Sequence, residues 1–251
     1  MAMPPSNPTT GRSDPAGFTA TRWTLVLDAA GGHPTPKAST ALAELCRMYW
    51  VPLYAYVRRH GREVHEAEDL TQEFFLRVVS PNFLADVDRR RGRFRAFLLA
   101  SFKHFLANAA DRDKAVKRGG GKPILSLDAG QAETRYRREP FHTLTPEKLF
   151  ERHWALTVLD QVLARLQAES YVLNGGPAVF DRLKQYLTTG RQSSGYAEAA
   201  AELGMTEGAV KVAVHRLRRR YRQLLREEIA QTVASSEEID DEIRYLWSCL
   251  Q

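Results

Sequence analysis

The chain has 251 residues, of which 43% are hydrophobic, and carries a formal net charge of +6. This length suits two modest domains better than one large one, and the basic balance is compatible with a nucleic-acid partner. No apolar run approaches the about 20 residues that a membrane-spanning helix needs, so we do not expect an integral membrane protein.

The first 20 residues and the two cysteines give no sign of a functional site. Residues 1–20 are rich in Pro, Ser, Thr and Gly and lack the charged start and apolar stretch of a secretory signal, so we expect them to be disordered. Cys46 and Cys249 lie in helical apolar patterns without the spacing of metal ligands. We therefore expect reduced thiols, a cytoplasmic location, and neither a metal nor a cofactor.

Three helices are predicted in the first half of the chain. In residues 41–60 apolar positions recur at three and four, and Pro52 is expected to kink or divide that helix. Residues 66–79 form a second helix with Leu70, Phe74, Val78 and Phe75 inside. Seven apolar positions mark the third helix: Phe94, Phe97, Leu98, Phe102, Phe105, Leu106 and Ala109.

The third helix lies in a strongly basic stretch. Between Arg89 and Lys122 there are eleven Lys and Arg residues, against only Asp111 and Asp113. Its phenylalanines fall mostly on one face, which predicts that most of them belong to the core. Any contact with DNA is therefore expected from the cations rather than from the rings.

Residues 119–145 contain three consecutive glycines and no convincing period, which predicts a flexible linker. Thr145 and Pro146 then begin a helix with a capping hydroxyl and a proline in the first turn. Six leucines and valines form its predicted buried side: Leu149, Leu156, Leu159, Val162, Leu163 and Leu166. Residues 174–177 end it, and a further helix is predicted over 180–187.

A helix, a glycine turn and a basic helix follow over residues 196–220. Gly204 supplies the turn and Thr206 can cap the next helix. Six small or apolar positions face the core: Ala199, Ala200, Leu203, Val210, Val214 and Leu217. The opposite face is basic, as in a helix-turn-helix that places its second helix in a DNA groove. An ordinary helical hairpin with a solvated basic face is the alternative, which the run of seven Lys and Arg without an acid from 211 to 226 disfavours.

The order of these parts resembles a bacterial RNA polymerase sigma factor of the extracytoplasmic-function (ECF) group of the sigma-70 family. The resemblance is carried by Trp50-Val-Pro-Leu-Tyr54, by Ala67-Glu-Asp-Leu-Thr-Gln-Glu-Phe-Phe-Leu76 and by the closing helix-turn-helix. It covers residues 38–118 as sigma region two and 147–226 as sigma region four. The resemblance implies an all-α fold of two helical lobes joined by a linker.

On this basis we divide the chain into five segments. They are a disordered start (1–20), a region-two lobe (21–118), a linker (119–145), a region-four lobe (146–226) and an acidic segment (227–251).

The resemblance also implies site residues. The polymerase β′ clamp helices would bind a face with Asp69, Gln72 and Glu73. A single-stranded downstream promoter box would meet Arg93, Arg95, Lys103, Asn108, Arg112, Lys114, Lys117 and Arg118. The upstream box would meet Thr206, Lys211, Val212, His215, Arg216, Arg218 and Arg219. The β flap of the polymerase is a further partner that the resemblance implies.

Three features depart from the family pattern, and one of them is the longer segment 171–194 before the helix-turn-helix. Family members often have a basic residue where this chain has Ala213, which leaves base preference open. The acidic segment repeats apolar residues at Ile239, Ile243, Leu246, Trp247 and Leu250, which predicts an amphipathic helix that must bury Trp247. It either packs simply on region four, the favoured interpretation, or covers the basic face in cis and regulates promoter access. Control by a separate anti-sigma partner is the other possibility.

Two other classes of protein fit the sequence less well. Residues 119–122 superficially suggest a phosphate loop, but Val116 stands at its first glycine position and Pro123 follows the lysine. His60 and His65 are not spaced for one helical face, so no enzyme or metal site is expected. An autonomous regulator would explain the helix-turn-helix but not the acidic helix followed by a basic aromatic one.

Overall fold

The computed structural model describes residues 22–23, 26, 36–80, 83, 93–115, 129–138, 144–173, 176–187 and 195–251, with only the backbone at 111–115, 129–131, 138 and 171–173. Within these ranges the regular structure is helical, and the extended pairing is a single antiparallel bridge between Arg93 and Val233. The predicted all-α fold is therefore confirmed. None of the described helices is long and apolar enough to cross a membrane.

The helices are α1 (Pro36–Arg59), α2 (Val64–Val78), α3 (Phe94–Ala115), α4 (Ala129–Arg138), α5 (Pro146–Leu173), α6 (Pro177–Leu183), α7 (Tyr196–Leu203), α8 (Glu207–Ala230) and α9 (Ile239–Ser248). Short 3₁₀ turns follow α6 at Lys184–Leu187 and precede α9 at Ser236–Glu238. The predicted disordered segment 1–20 lies outside the described residues.

Helix α1 passes through Pro52 as one element, so of the two predicted outcomes, a kink or a division, the division does not occur. Pro52 cannot donate a hydrogen bond to the carbonyl of Met48 four residues earlier, which weakens an isolated helix. Here every residue from Pro52 to Val57 is buried, and this packing outweighs the lost bond. The aromatic prediction is confirmed, since Phe94, Phe97, Phe102 and Phe105 are all buried.

The segment predicted to be a linker contains α4, which periodicity did not reveal. Tertiary contacts hold this helix on α1, because Ala132 is fully buried and Glu133 accepts hydrogen bonds from Tyr54 Oη (2.6 Å) and Arg58 Nε (3.1 Å). An isolated helix of this length is marginal in water. Its stability comes from the neighbouring helix rather than from its own sequence.

The two predicted lobes share one hydrophobic core in this structure. Helices α1 and α5 form the most extensive helix pair among the described elements, and Tyr49 stacks on Phe150 with ring centroids 6.2 Å apart. The core continues into Val210 and Leu224 of α8. The lobes are therefore packed against each other rather than held apart.

Helix α9 is amphipathic as predicted, and its predicted apolar positions pack on the core except for Trp247. Leu246 and Glu242 are buried, whereas Trp247 is 43% exposed, so the prediction that the helix must bury this tryptophan is wrong. Trp247 lies next to Leu246, and adjacent residues on a helix point about 100° apart. Seating the Glu242 side of the helix inward turns Trp247 toward solvent.

Candidate nucleic-acid and polymerase interfaces

The turn between α7 and α8 has the local geometry that its sequence predicted. Gly204 is left-handed (φ 63°), and the amide of Met205 donates to the carbonyl of Ala200 at 2.9 Å. Thr206 caps α8, since its hydroxyl accepts from the amide of Ala209 at 3.2 Å. Glycine and the threonine cap together fix where the second helix starts.

The inner face of this helix-turn-helix is closed. Ala199, Val210, Val214 and Leu217 are buried, as the periodicity predicted. The outer face of α8 is open, because Lys211, Val212, His215, Arg216 and Arg219 are all exposed. These five are brought together on one surface, which we call the α8 basic face.

The neighbouring cations of α8 have structural partners instead. Arg218 donates from Nε to the carbonyl of Tyr186 at 2.8 Å and is only half-exposed. Arg220 binds Glu169 through Nε at 2.6 Å. Sequence reasoning predicted phosphate contact for Arg218 and did not detect its role in holding the turn after α6, because no local signal connects positions 32 residues apart.

A groove of about 760 Å³ lies beside the α8 basic face, between α5, α6 and α8. Its walls are mainly apolar, with Leu166, Phe180 and Val212 among them, and Arg216 stands at its edge. Sequence reasoning missed this groove because it is formed by three helices that are distant in the chain.

The predicted polymerase-binding residues share one side of α2. Thr71, Phe74 and Val78 are buried against the core. Asp69 and Glu73 are exposed and Gln72 is half-buried on the other side. The acidic and amide groups are thus presented together, on a helix whose position the aromatic core determines.

The predicted downstream-box residues separate into groups. Lys103 and Asn108 are exposed on α3, and Lys103 Nζ lies 2.6 Å from Glu147 Oε1, an ion pair that lowers the pKa of Glu147. The side chains of Arg112 and Lys114, and the whole of Lys117 and Arg118, lie outside the described residues. Arg93 and Arg95 both pair with Glu242 of the acidic segment, and Arg95 is buried whereas Arg93 is half-buried.

Arg95 does not fit the expected exposed position. Its Nε and Nη2 atoms donate to Glu242 at 2.6 and 3.2 Å, and its guanidinium lies 3.9 Å from the ring centroid of Tyr245. Burial alone would lower the pKa of Arg95, but the bonds and charge of Glu242 outweigh burial and raise it. Direct DNA contact by Arg95 is therefore blocked in this arrangement.

The sequence did contain a signal for this burial. Glu242 stands three residues after Ile239 and four before Leu246, within the apolar stripe of α9. An acid on a buried stripe needs a cationic partner. Periodicity alone could not identify Arg95, 147 residues away, as that partner.

Glu133 links the predicted linker to the first lobe. Burial opposes its ionisation, but the hydrogen bonds from Tyr54 and Arg58 outweigh burial and hold the pKa of Glu133 below its usual value. No local pattern in the sequence indicates a role for this residue.

A protein-family model described as ECF sigma factor matches residues 39–227. No curated protein and no solved structure matches the chain. The matched range is more than half of the chain and includes α2, α3 and the α8 basic face. Nearly all of the acidic segment lies beyond it.

Proposed function

The chain belongs to the ECF sigma factor family, and we propose that it binds core RNA polymerase through α2 and directs initiation at promoters that it contacts with α3 and α8. The family is one of polymerase-binding transcription factors, not of enzymes. The observation that carries the specific proposal is the α8 basic face, exposed on a helix whose opposite side is buried. We place the protein in the bacterial cytoplasm, where polymerase and promoters are found.

The α8 basic face suits the major groove of double-stranded DNA. Lys211 and Arg216 supply donors that guanine accepts, and the exposed methyl groups of Val212 suit a thymine methyl. Arg219 is exposed for phosphate contact. Thr206 acts as the helix cap, so we assign it to positioning the helix rather than to base recognition.

The exposed side of α2 suits a basic protein surface. Asp69 and Glu73 carry the charge, and the buried Phe74 and Phe75 hold the helix rigidly beneath them. Complementary charge across an interface favours rapid and specific association. The β′ clamp helices are the partner that the family implies, and the β flap is a further partner to which we assign no residue.

The downstream box is assigned to the exposed side of α3. Lys103 can exchange Glu147 for a phosphate, because both side chains are more than two-fifths exposed and such pairs are weak. Asn108 is exposed on the same helix. Basic groups along a groove are typical of proteins that bind single strands.

The experiment is co-elution of the full chain with bacterial core RNA polymerase. Asp69→Arg and Glu73→Arg place positive charge against a basic partner, and we expect each to weaken binding by at least about 100-fold. Glu237→Arg reverses an exposed acid outside α2 and should leave binding unchanged. Equal binding by all variants would remove α2 from the interface, and no binding by the folded wild-type chain would favour an autonomous regulator.

A further inference from the structure

The acidic segment is attached to the beginning of α3 by backbone as well as by side chains. The amide of Phe94 donates to the carbonyl of Thr232 at 3.1 Å, and Arg93 and Val233 form the antiparallel bridge. Phe94 is the first residue of α3, where the helix itself offers the amide no acceptor. The acidic segment therefore completes the start of a helix in another lobe.

The same contact neutralises two cations of that helix start. The Glu242 side chain is 1% exposed and receives Arg95 as described above and Arg93 Nη1 at 3.1 Å. Tyr245 covers the guanidinium of Arg95 on one side and Trp154 lies 5.2 Å from it. One buried carboxylate thus binds two arginines that belong to the predicted downstream-box surface, and Arg95 Nη1 also lies 3.7 Å from Glu151 Oε1 of α5.

Apolar residues at both positions 95 and 242 would pack without any charge, whereas an apolar residue at 242 alone would leave the buried Arg95 without Glu242. Buried ion pairs add little stability compared with apolar packing of similar volume, so a carboxylate here is not explained by packing alone. A carboxylate does have the same chemistry toward arginine as a phosphate oxygen, which makes the two ligands interchangeable. Arg95, whose side chain is 9% exposed, cannot reach a phosphate while it is bound to Glu242.

We propose that the acidic segment locks the start of α3, and that DNA contact by Arg93 and Arg95 requires Glu242 to leave them. The inference rests on the proposed function and adds regulation to one of the two DNA-binding surfaces that this function requires. The α8 basic face stays exposed while the lock is closed, so the lock acts on α3 selectively. This differs from an acidic segment that covers α8.

The test compares Glu242→Gln with Asp241→Asn in the full chain. Glutamine keeps the volume at 242 but removes the charge, whereas Asp241 is an exposed neighbour paired with Arg244 on the same helix. The first readout is hydrogen exchange of the peptide that contains Phe94. The second is fluorescence anisotropy of a random-sequence 20-nucleotide single-stranded DNA pool over a range of salt concentrations.

We call the state in which Glu242 has left Arg93 and Arg95 the open state. If 1–10% of wild-type molecules are open, opening all of them should raise the apparent affinity for the DNA pool by about 10- to 100-fold. We expect Glu242→Gln to speed exchange at Phe94, to bind the DNA pool more tightly by about that factor, and to steepen the salt slope by about 0.7 for each of the two arginines that then contacts a phosphate. Asp241→Asn should match the wild type in all three measurements. Faster exchange without tighter DNA binding would overturn the proposal, as would unchanged exchange.

A disulfide tests the same lock without removing Glu242. The Arg93–Val233 bridge places the two Cα atoms about 4.5 to 5.5 Å apart, which a disulfide can span. The variant carries Arg93→Cys and Val233→Cys, together with Cys249→Ser to remove a competing thiol. Cys46 can stay, because burial raises the pKa of its thiol to about 12 and keeps it unreactive. The oxidised form should bind the DNA pool at least about tenfold more weakly than the same protein after reduction; equal binding would refute the lock.

Failure of the lock and failure of the proposed function are distinguishable. If Glu242→Gln opens and gains DNA affinity but the chain does not bind core polymerase, the sigma role fails and the lock stands. If polymerase binding is intact but the variants and redox states bind DNA alike, the lock fails alone.

Discussion

The start of α3 and the outer face of α8 are both basic, yet the structure treats their cations in opposite ways. On α8, Lys211 pairs with Glu207 at 2.6 Å, and both side chains are more than half exposed. On α3, the Arg95 side chain is 9% exposed and its partner Glu242 only 1%. Residue type and charge density therefore do not tell which basic surface is available to DNA.

The difference has energetic consequences. An exposed pair at four-residue spacing contributes about 0.3 to 0.5 kcal/mol, so Lys211 can exchange Glu207 for a phosphate at little cost. Removing one partner of a buried pair leaves an uncompensated charge and costs several kcal/mol. Double-stranded DNA should thus reach α8 directly, whereas single-stranded DNA must compete with Glu242 at α3.

The largest contrast should come from removing one arginine from each surface. Arg95→Ala leaves the Glu242 carboxylate buried with only Arg93, and we expect a loss of about 3 kcal/mol in the free energy of unfolding. Arg219→Ala on the exposed face should change it by less than about 0.5 kcal/mol. Urea denaturation of both variants measures the difference; equal losses would show that Arg95 is not a buried, paired charge in solution.

A second contrast concerns sequence recognition on α8. If the Arg216 guanidinium forms a bidentate hydrogen bond with guanine, Arg216→Ala should remove about 1 to 3 kcal/mol of discrimination at one base pair. Arg222→Ala, farther along the same helix and also exposed, should weaken binding to all sequences alike. Selection from a double-stranded DNA library measures both, and an unchanged consensus for Arg216→Ala would remove that residue from base recognition.

A third contrast tests the turn that positions α8. Gly204 has φ 63° and open space where a β-carbon would lie, so Gly204→Ala should destabilise by about 1 to 2 kcal/mol through backbone strain alone. Gly208 lies in the first turn of α8, also in open space, and Gly208→Ala should stabilise by up to about 1 kcal/mol. The thermal unfolding temperatures of the two variants should shift in opposite directions from that of the wild type. Shifts of the same sign would contradict the left-handed turn at Gly204.

The smallest effect is expected from pH, at the contact between α1 and α4. The pKa of Glu133 is lower in the folded chain than its ordinary value of 4.5, so its contribution to stability is present above pH 4.5 and is lost as pH falls through the folded pKa. In Glu133→Gln the free energy of unfolding should therefore depend less on pH below pH 4.5. Asp181→Asn, an exposed neighbour of Lys184, should not change it. Curves of the same shape for Glu133→Gln and the wild type would contradict the assignment.

Local sequence determined a large part of this protein. The faces of α2 and α3, the glycine turn at Gly204 and the cap at Thr206 follow from periodicity and backbone preference, because each depends on residues a few positions apart. The family was indicated by the resemblance that residues 50–54, 67–76 and the helix-turn-helix carry, and the family model over residues 39–227 confirms it. The roles of the predicted site residues in binding polymerase and DNA stay predictions.

Tertiary structure alone decided which predicted surfaces are open. The helix at α4, the passage of α1 through Pro52, the exposure of Trp247 and the pairing of Arg95 with Glu242 all depend on contacts between distant parts of the chain. A helical period specifies that one face is apolar but not which other helix covers it. A buried charge likewise needs a partner, and only the packed chain determines which residue supplies it.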